Sequence, residues 1–542
     1  MPEDPGEPRF RGLHARDRLF HRRLLSAGLE RKPHHEPPPR RRNRVAAQHG
    51  LPPGAVADRA GAERARRVQR DRRRHRDGLR GADRQGGAQG APAAAGNPPV
   101  SALALFGGTP VAPKGIDENW PEVTETDIAA VTDTLRSGRL SWMNDDQVRE
   151  LEREWAGYTG TAHCLAVNSG TAALHAAVAA AGIGPGDEVI VPALSFLASA
   201  TCVLHHQGIP VFADVDPVTF TLDPSDVEHR ISRRTKAIIA VHLHGLPADM
   251  AAVSEIARRH GLVVIEDAAQ AHGATVDGVR AGALGDLGAF SIMAGKNLAT
   301  AGEGGLLTTN DTGLRNRADA VKMFGETIDP DGHRDYHAHT LGWNYRFSSI
   351  LAAFTRSQLA RLDTYIDETR AGANRLTGTL SELPGVLPPV VPDGRTHVYH
   401  HFRVRFDPAQ AGLDVAPGPF RRVVGEALTA EGIPVIGYQN RPLPGQRLFA
   451  ERVGYGRGCP WTCGHTARTV EYRPEEYTST LAVISGSLLV GSRLCPASFR
   501  DPAAISAYED AFVKVFGRLG ELAAYARTID YAEPWEDGDR LW

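Results

Sequence analysis

The sequence predicts an α/β protein in which a mainly parallel central sheet carries helices on both faces and leads into a smaller C-terminal α+β domain. Three observations predict it. From about Glu122 onward, helical and strand-like apolar patterns alternate along the chain. The strand-like runs are short and apolar throughout, as strands buried on both faces should be. The residues best suited to chemistry fall at or just past the ends of those strands, where open α/β sheets place their ligands.

Taken in order, residues 150 to 158 read as the end of an amphipathic helix, and residues 172 to 181 as an alanine-rich helix. Residues 188 to 192, 210 to 213, 237 to 241 and 262 to 266 read as buried strands, with a helix over 250 to 260 between the last two. A helical run from Ser349 to about Leu376 leads out of the large domain. Beyond it, residues 398 to 404 are strand-like and residues 504 to about 522 helical. The expected division is therefore a segment 1–100, a large domain 101–360 and a small domain 361–542, with no internal repeat.

The net charge of −2 conceals a sharp change of composition near Pro98-Pro99. Residues 1 to 100 hold 23 Lys+Arg against 11 Asp+Glu; the rest holds 39 against 53. The first hundred residues are rich in Arg, Pro, Gly and Ala with no sustained apolar period, so they are expected to be disordered or to lie upstream of the native start. Runs such as Arg72-Arg73-Arg74-His75-Arg76 suit an anionic surface, but a solvated tail is the expected state, and nucleic acid is not the expected partner. No secretory core or membrane span is visible, and five cysteines make no disulfide framework, so a cytoplasmic protein is expected. Cys459 and Cys463 have no second pair to complete a structural zinc site, and no metal is expected.

Asp267 follows the apolar strand ending at Glu266, and Lys296 stands 29 residues later in Phe290-Ser291-Ile292-Met293-Ala294-Gly295-Lys296-Asn297. Singly, they read as a helix cap and a surface lysine. Together they are what pyridoxal phosphate (PLP) chemistry requires: a lysine amine able to form a Schiff base and move protons, and a carboxylate able to keep a pyridine nitrogen protonated. A third segment, Asn168-Ser169-Gly170-Thr171, opens the alanine-rich helix with small and hydroxyl residues, leaving free amides where a phosphate is favoured. Ser291 can add a hydroxyl to that phosphate, and Phe196 can lie on a pyridine ring. Gly295-Lys296 is not a nucleotide loop: the position five before Gly295 is Phe290, and Asn297 replaces the required Ser or Thr. His242 and His244, in Val241-His242-Leu243-His244-Gly245, are expected to be loop histidines satisfied by backbone.

These landmarks, with Leu105-Phe106-Gly107-Gly108-Thr109-Pro110, Gly186-Asp187-Glu188-Val189-Ile190-Val191-Pro192, Glu266-Asp267-Ala268-Ala269-Gln270, Gly302-Glu303-Gly304-Gly305 and Asn344-Tyr345-Arg346, occur in an order that resembles the DegT/DnrJ/StrS sugar and cyclitol aminotransferases of the fold type I PLP superfamily. The resemblance runs from about Leu103 to near the C-terminus. It implies that Ser169, Gly170, Thr171 and Ser291 hold phosphate, Phe196 stacks, Asp267 pairs with the pyridinium, Gln270 sits near the cofactor's 3-hydroxyl and Lys296 carries the Schiff base. It also implies that Asn344 reaches the phosphate of a neighbouring subunit, hence a homodimer with shared sites. The implied reaction moves an amino group from glutamate or glutamine to a nucleotide-linked keto-sugar or a keto-cyclitol. Two alternatives stand beside it: a sugar dehydratase on the same scaffold, whose members replace the lysine by histidine, and a non-enzymatic regulator. Where relatives often carry Pro-Leu-His, this chain reads Pro442-Leu443-Pro444, so substrate contacts there do not carry over.

Overall fold

Seven strands form the sheet that the alternating pattern predicts: β1 (His163–Val167), β2 (Glu188–Pro192), β3 (Ile209–Ala213), β4 (Thr235–Val241), β5 (Val263–Asp267), β6 (Leu287–Ser291) and β7 (Gly305–Thr309). The structure, a computed structural model, describes residues 102–116, 119–328, 334–466, 470–491 and 499–536. The basic segment 1–100 and the expectations attached to it lie outside the described residues. Strand order is β1-β7-β6-β5-β4-β2-β3. The pairs β2/β3, β2/β4, β4/β5 and β5/β6 are parallel, and β7 runs antiparallel to both of its neighbours.

Both faces of this sheet are buried because alternate residues enter different cores. Along β4, Ala237, Ile239 and Val241 join one apolar cluster while Ile238 and Ala240 join another. After α1 (Glu125–Ser137) and α2 (Gln147–Thr159), α3 (Gly170–Ala180) and α4 (Ala198–His205) contribute to the first cluster; the second contains Val253, Ile256 and Ala257 of the helix Met250–His260. A third cluster packs Leu151 and Trp155 of the helix Gln147–Thr159 against Ala166, Phe290 and Leu306.

The small domain is a four-stranded antiparallel sheet, β8 (Val386–Leu387), β9 (Phe402–Phe406), β10 (Val435–Ile436) and β11 (Ser487–Val490), in the order β8-β9-β11-β10. Phe402, Val404 and Phe406 of β9 pack onto Phe420, Val424, Tyr508 and Phe512 of two covering helices. Packing crosses the expected division at residue 360 in both directions. Leu103 lies in the small-domain core, where the Glu431 carboxylate accepts from the Ala104 and Val111 amides and from Lys514 Nζ. Conversely, Leu443, Phe449, Trp461, Tyr472 and Tyr477 join the large-domain core, and Tyr472 Oη donates to the Pro210 carbonyl at 2.8 Å. This return segment covers β3, whose open edge would otherwise invite pairing.

Several strand and helix ends shift by one or two residues from the sequence reading, and three stretches differ more. The run from Ser349 divides into Ser349–Leu359 and Leu362–Ser381. Between the two helices lies Arg361, whose guanidinium is paired with the buried Asp127 carboxylate at 2.8 Å. The C-terminal helical stretch likewise divides into Pro502–Phe516 and Leu519–Ala526. Residues 398 to 401 are not strand. Their backbone is taken by the large domain instead: the Val398 amide donates to the Gly245 carbonyl and the His401 amide to that of His244.

Candidate active site

Asp267 is the last residue of β5, flanked by Val241 of β4 and Ala289 of β6. That register places its side chain at the C-terminal edge of the parallel strands, where it is buried. Oδ2 accepts from Ser199 Oγ at 2.6 Å, and Oδ1 from the Ala269 amide at 3.2 Å. Ser199 Oγ is in turn 2.7 Å from Ser195 Oγ, so a short hydroxyl chain fixes the carboxylate. Burial pushes the Asp267 carboxyl above its usual range, against the opposing pull of the Ser199 hydroxyl, the Ala269 amide and the Lys296 charge. A buried carboxylate in this state is stabilised by a cation placed against it.

Lys296 supplies the nearest such charge. It lies in the loop after β6, held at its backbone by a 2.8 Å bond from its amide to the Met293 carbonyl and by Trp120, whose indole Nε1 donates to the Lys296 carbonyl at 3.0 Å. Burial lowers its amine to about 8, with Asp267 and Glu303 acting in the other direction. A lysine so tuned has a usable fraction of free amine near neutral pH, which an ordinary solvated lysine lacks.

Facing the pair is the N-terminus of α3. Ser169 caps it, its Oγ accepting from the Ala172 amide at 3.0 Å. The first amides of the helix, at Gly170 and Thr171, have no intrahelical acceptor and point to a site for an anion. Glycine is required at position 170: a Cβ there would stand 2.6 Å from the Cβ of Ser291, the last residue of β6. The α3 N-terminus and the Ser291 hydroxyl are thus pressed together. Phe196, between β2 and α4, is 59% exposed despite its size, leaving its ring free to cover a planar ligand.

A family model described as the DegT/DnrJ/EryC1/StrS aminotransferase family matches residues 121–472, which contain all of these groups but Trp120. The chain belongs to that family. It is similar to the L-glutamine:2-deoxy-scyllo-inosose aminotransferase of Streptomyces fradiae, with 40% identity over 65% of this chain and 84% of the relative. A protein of Geobacillus stearothermophilus named as a pleiotropic regulatory protein is 37% identical over 63% of this chain and 87% of its own length. Among solved structures, S. venezuelae DesV in complex with a ketimine intermediate is 31% identical, covers 74% of this chain and 95% of its own, and superposes with a TM-score of 0.61. The chain is an aminotransferase of the α/β type that its strand pattern predicts.

In this aminotransferase the other candidate residues are placed less simply. Gln270 is buried at the same sheet edge, but its Oε1 already accepts from the His244 amide at 2.6 Å. Asn344 is exposed; its side-chain oxygen accepts from Arg346 Nε at 2.9 Å and its carbonyl from Asn168 Nδ2 at 3.3 Å. Within one subunit Asn344 is therefore tied beside the α3 N-terminus. His242 is fully satisfied, between Glu266 Oε2 at 2.9 Å and the Ala248 amide at 3.1 Å. His244 departs from the expected backbone-satisfied state. Its backbone is bonded and its φ is +61°, yet neither ring nitrogen has a partner.

Sequence reading missed Ser199, Trp120, Asn297 and His400. Ser199 lies 68 residues from the carboxylate it holds, and Trp120 lies 176 residues from Lys296. Asn297 donates to the Val398 carbonyl at 3.1 Å, and its Oδ1 lies 2.8 Å from His400 Nδ1, joining the lysine loop to the small domain. Only the adjacency of Asn297 to Lys296 gave any signal. Among the described residues no group of three or more His, Cys, Asp or Glu could hold a metal ion, and no helix is long and apolar enough to cross a membrane.

Proposed function

We propose that this aminotransferase uses pyridoxal phosphate to move an amino group from glutamine or glutamate to a keto-cyclitol or a nucleotide-linked keto-sugar. The observation that carries the proposal is the joint placement of Lys296 and Asp267, each close enough to act on the other's charge, at a sheet edge faced by the α3 N-terminus. The residues fit the cofactor by their chemistry. The Gly170–Ser291 contact makes a cradle that a side chain at 170 would fill, with the Ser291 hydroxyl and the Gly170 and Thr171 amides available to its phosphate. Phe196 is available to its ring, and the Ser199-held Asp267 carboxylate to its ring nitrogen.

When bound, PLP supplies an electron sink conjugated to the carbon that exchanges the amino group. The protein's residues do the rest. Asp267, oriented by its hydroxyl and amide donors, offers its carboxyl to a cation at its open side. Lys296, with its amine lowered by burial, alternates between free and protonated states at neutral pH and so carries a proton at Nζ. Trp120 and Asn297 keep the lysine loop in place. The inosose acceptor in the name of the Streptomyces fradiae relative supports a polyhydroxylated six-membered ketone as acceptor. We assign a homodimer as the working form, supported by the exposed apolar side chains of Leu197, Phe324 and Leu341.

The test is a half-reaction. The PLP-loaded protein treated with L-glutamine should pass spectroscopically to the pyridoxamine phosphate form, and a keto-cyclitol or keto-sugar should reverse the change. Lys296→Ala should abolish turnover; turnover left intact would refute the assignment. The regulatory reading, suggested by the name of the Geobacillus relative, predicts no such conversion, whereas the half-buried Lys296 with its lowered amine and the fixed Asp267 are costly features that a scaffold does not need.

A further inference from the structure

Cys459 and Cys463 take no part in the chemistry above, yet the fold brings their Sγ atoms to 2.7 Å as free thiols. The turn around them is built for this meeting. The Tyr455 amide donates to the Cys459 carbonyl at 2.9 Å, the Cys459 amide to the Gly456 carbonyl at 3.2 Å, and the Cys463 amide to the Pro460 carbonyl at 3.3 Å. Thr462 Oγ1 donates to the Arg457 carbonyl at 3.0 Å. Two glycines make room for so tight a path. Gly454 has φ +46° and Gly458 φ +76°; a Cβ on the first would strike the Cys459 carbonyl, and one on the second would stand 2.7 Å from Thr462 Cγ2.

Surroundings separate this pair from Cys164 and Cys202. Those two are buried, and burial pushes both thiols well up, which leaves them unreactive. Cys459 and Cys463 are only half-buried, among exposed Tyr455, Arg457, Thr462 and Gly464, so a small reagent reaches them. A metal ion is not the expected partner, because among the described residues no third His, Cys, Asp or Glu completes a set.

The side chain enclosed between the thiols is an anchor. Trp461 is 5% exposed in the large-domain core. Its Nε1 donates to Tyr472 Oη at 2.8 Å, and Tyr472 Oη donates to the Pro210 carbonyl of β3. Tyr455 Oη, before the pair, donates to the Leu204 carbonyl of α4 at 2.9 Å; after it, the His465 carbonyl accepts from Arg234 Nη1 at 2.8 Å. The thiols therefore close the one turn that fastens the return segment over the edge of β3 from both sides.

We infer that Cys459 and Cys463 are a redox site that a low-molecular-weight disulfide closes to an intramolecular bridge, and that the bridge staples the Trp461 turn onto the large domain. The step is thiol–disulfide exchange. One cysteine thiolate attacks the small disulfide, whose S–S bond breaks and releases one small thiolate. The second cysteine thiolate attacks the mixed disulfide at the protein sulfur and releases the other. Two cysteine S–H bonds are lost and one S–S bond forms; the small disulfide takes up the two electrons and two protons as two thiols. Because the sulfurs already touch, drawing them to a bond of about 2.0 Å leaves the turn's hydrogen bonds in place. Bridging then removes open states of the turn without displacing it.

The experiment uses the PLP-loaded enzyme equilibrated with glutathione disulfide, its remaining thiols capped with N-ethylmaleimide before digestion and mass spectrometry. Residues 458–468 form one tryptic peptide holding both cysteines. That peptide should carry no cap and be two hydrogens lighter than its reduced form, and excess glutathione should restore two cappable thiols. Limited tryptic cleavage of the native enzyme after Arg457, whose carbonyl is tied to Thr462 inside the ring, should slow on the order of tenfold once the bridge forms. In Cys459→Ser and Cys463→Ser the same cleavage should be indifferent to glutathione disulfide. Two capped cysteines, glutathione held separately on each, or a bridge from either to Cys495, which lies outside the described residues, overturns the site. A bridge that leaves the cleavage rate unchanged overturns the staple.

Discussion

The two sides of the candidate site are built on opposite rules. On the large-domain side, polar groups are bonded before any ligand arrives: Asp267 by Ser199 and Ala269, Ser169 by the α3 amide it caps. Where the small domain meets the large one, Arg403 and His244 are buried with nitrogens left open. The first region is a prefabricated holder, stable without its occupant. The second carries a desolvation cost that no hydrogen-bond partner among the described residues relieves.

The largest way to break this contrast is at Lys296. Lys296→Ala should lower the rate of the donor half-reaction by more than about 10³-fold while the protein still folds, since the amine is both nucleophile and proton carrier. Stopped-flow absorbance measures it. Asp267→Asn should come next, with a loss on the order of 10²- to 10³-fold, because the neutral amide cannot hold a cation.

A glycine change sharpens the picture of the holder. Gly170→Ala forces a Cβ to within 2.6 Å of Ser291 Cβ, so α3 or β6 must shift. The expected cost is about 1–3 kcal/mol, seen as weaker PLP binding by fluorescence titration and as a lower melting temperature. Ser199→Ala should be milder, about 1 kcal/mol in cofactor affinity, since Asp267 loses one of its donors.

The last effect concerns pH. Burial lowers the folded Lys296 amine to about 8 from the 10.5 of an ordinary lysine, so between those values the unfolded chain binds a proton that the folded chain does not. Stability of the cofactor-free protein should therefore rise as pH increases through that window, the penalty being fully present below about pH 8. Lys296→Met should remove the penalty, stabilising the cofactor-free protein by roughly 1–2 kcal/mol at pH 7 and by little at pH 10.5. Urea denaturation at the two pH values tests it. Correspondingly, the rate of PLP incorporation should level off near pH 8 rather than climb toward 10.

The holder was largely legible in the sequence because its parts are local. β2 at Glu188–Pro192 and the helix Met250–His260 were read to the residue, since each has a clean apolar pattern and a cap or turn at its ends. Asp267, Lys296 and Gly170 could be proposed because strand ends are predictable places for ligands. The small-domain side was not legible. Residues 398 to 401 have strand-like composition, and only their bonds to Gly245 and His244 explain why they are not strand. Arg403 reads as an ordinary polar residue on an alternating strand, because nothing local announces that its outward face meets another domain. His244 was assigned a backbone-satisfied ring; its φ of +61° and its neighbours Arg403 and His401 are tertiary facts.

The most direct measurement of the central claim is chemical. Loading the protein with PLP, reducing it with borohydride, digesting it and sequencing the labelled peptide by mass spectrometry should place the pyridoxyl group on Lys296, with Asp267→Asn weakening the label. A pyridoxyl group found on another lysine, such as Lys322 or Lys514, or on none, would contradict the account.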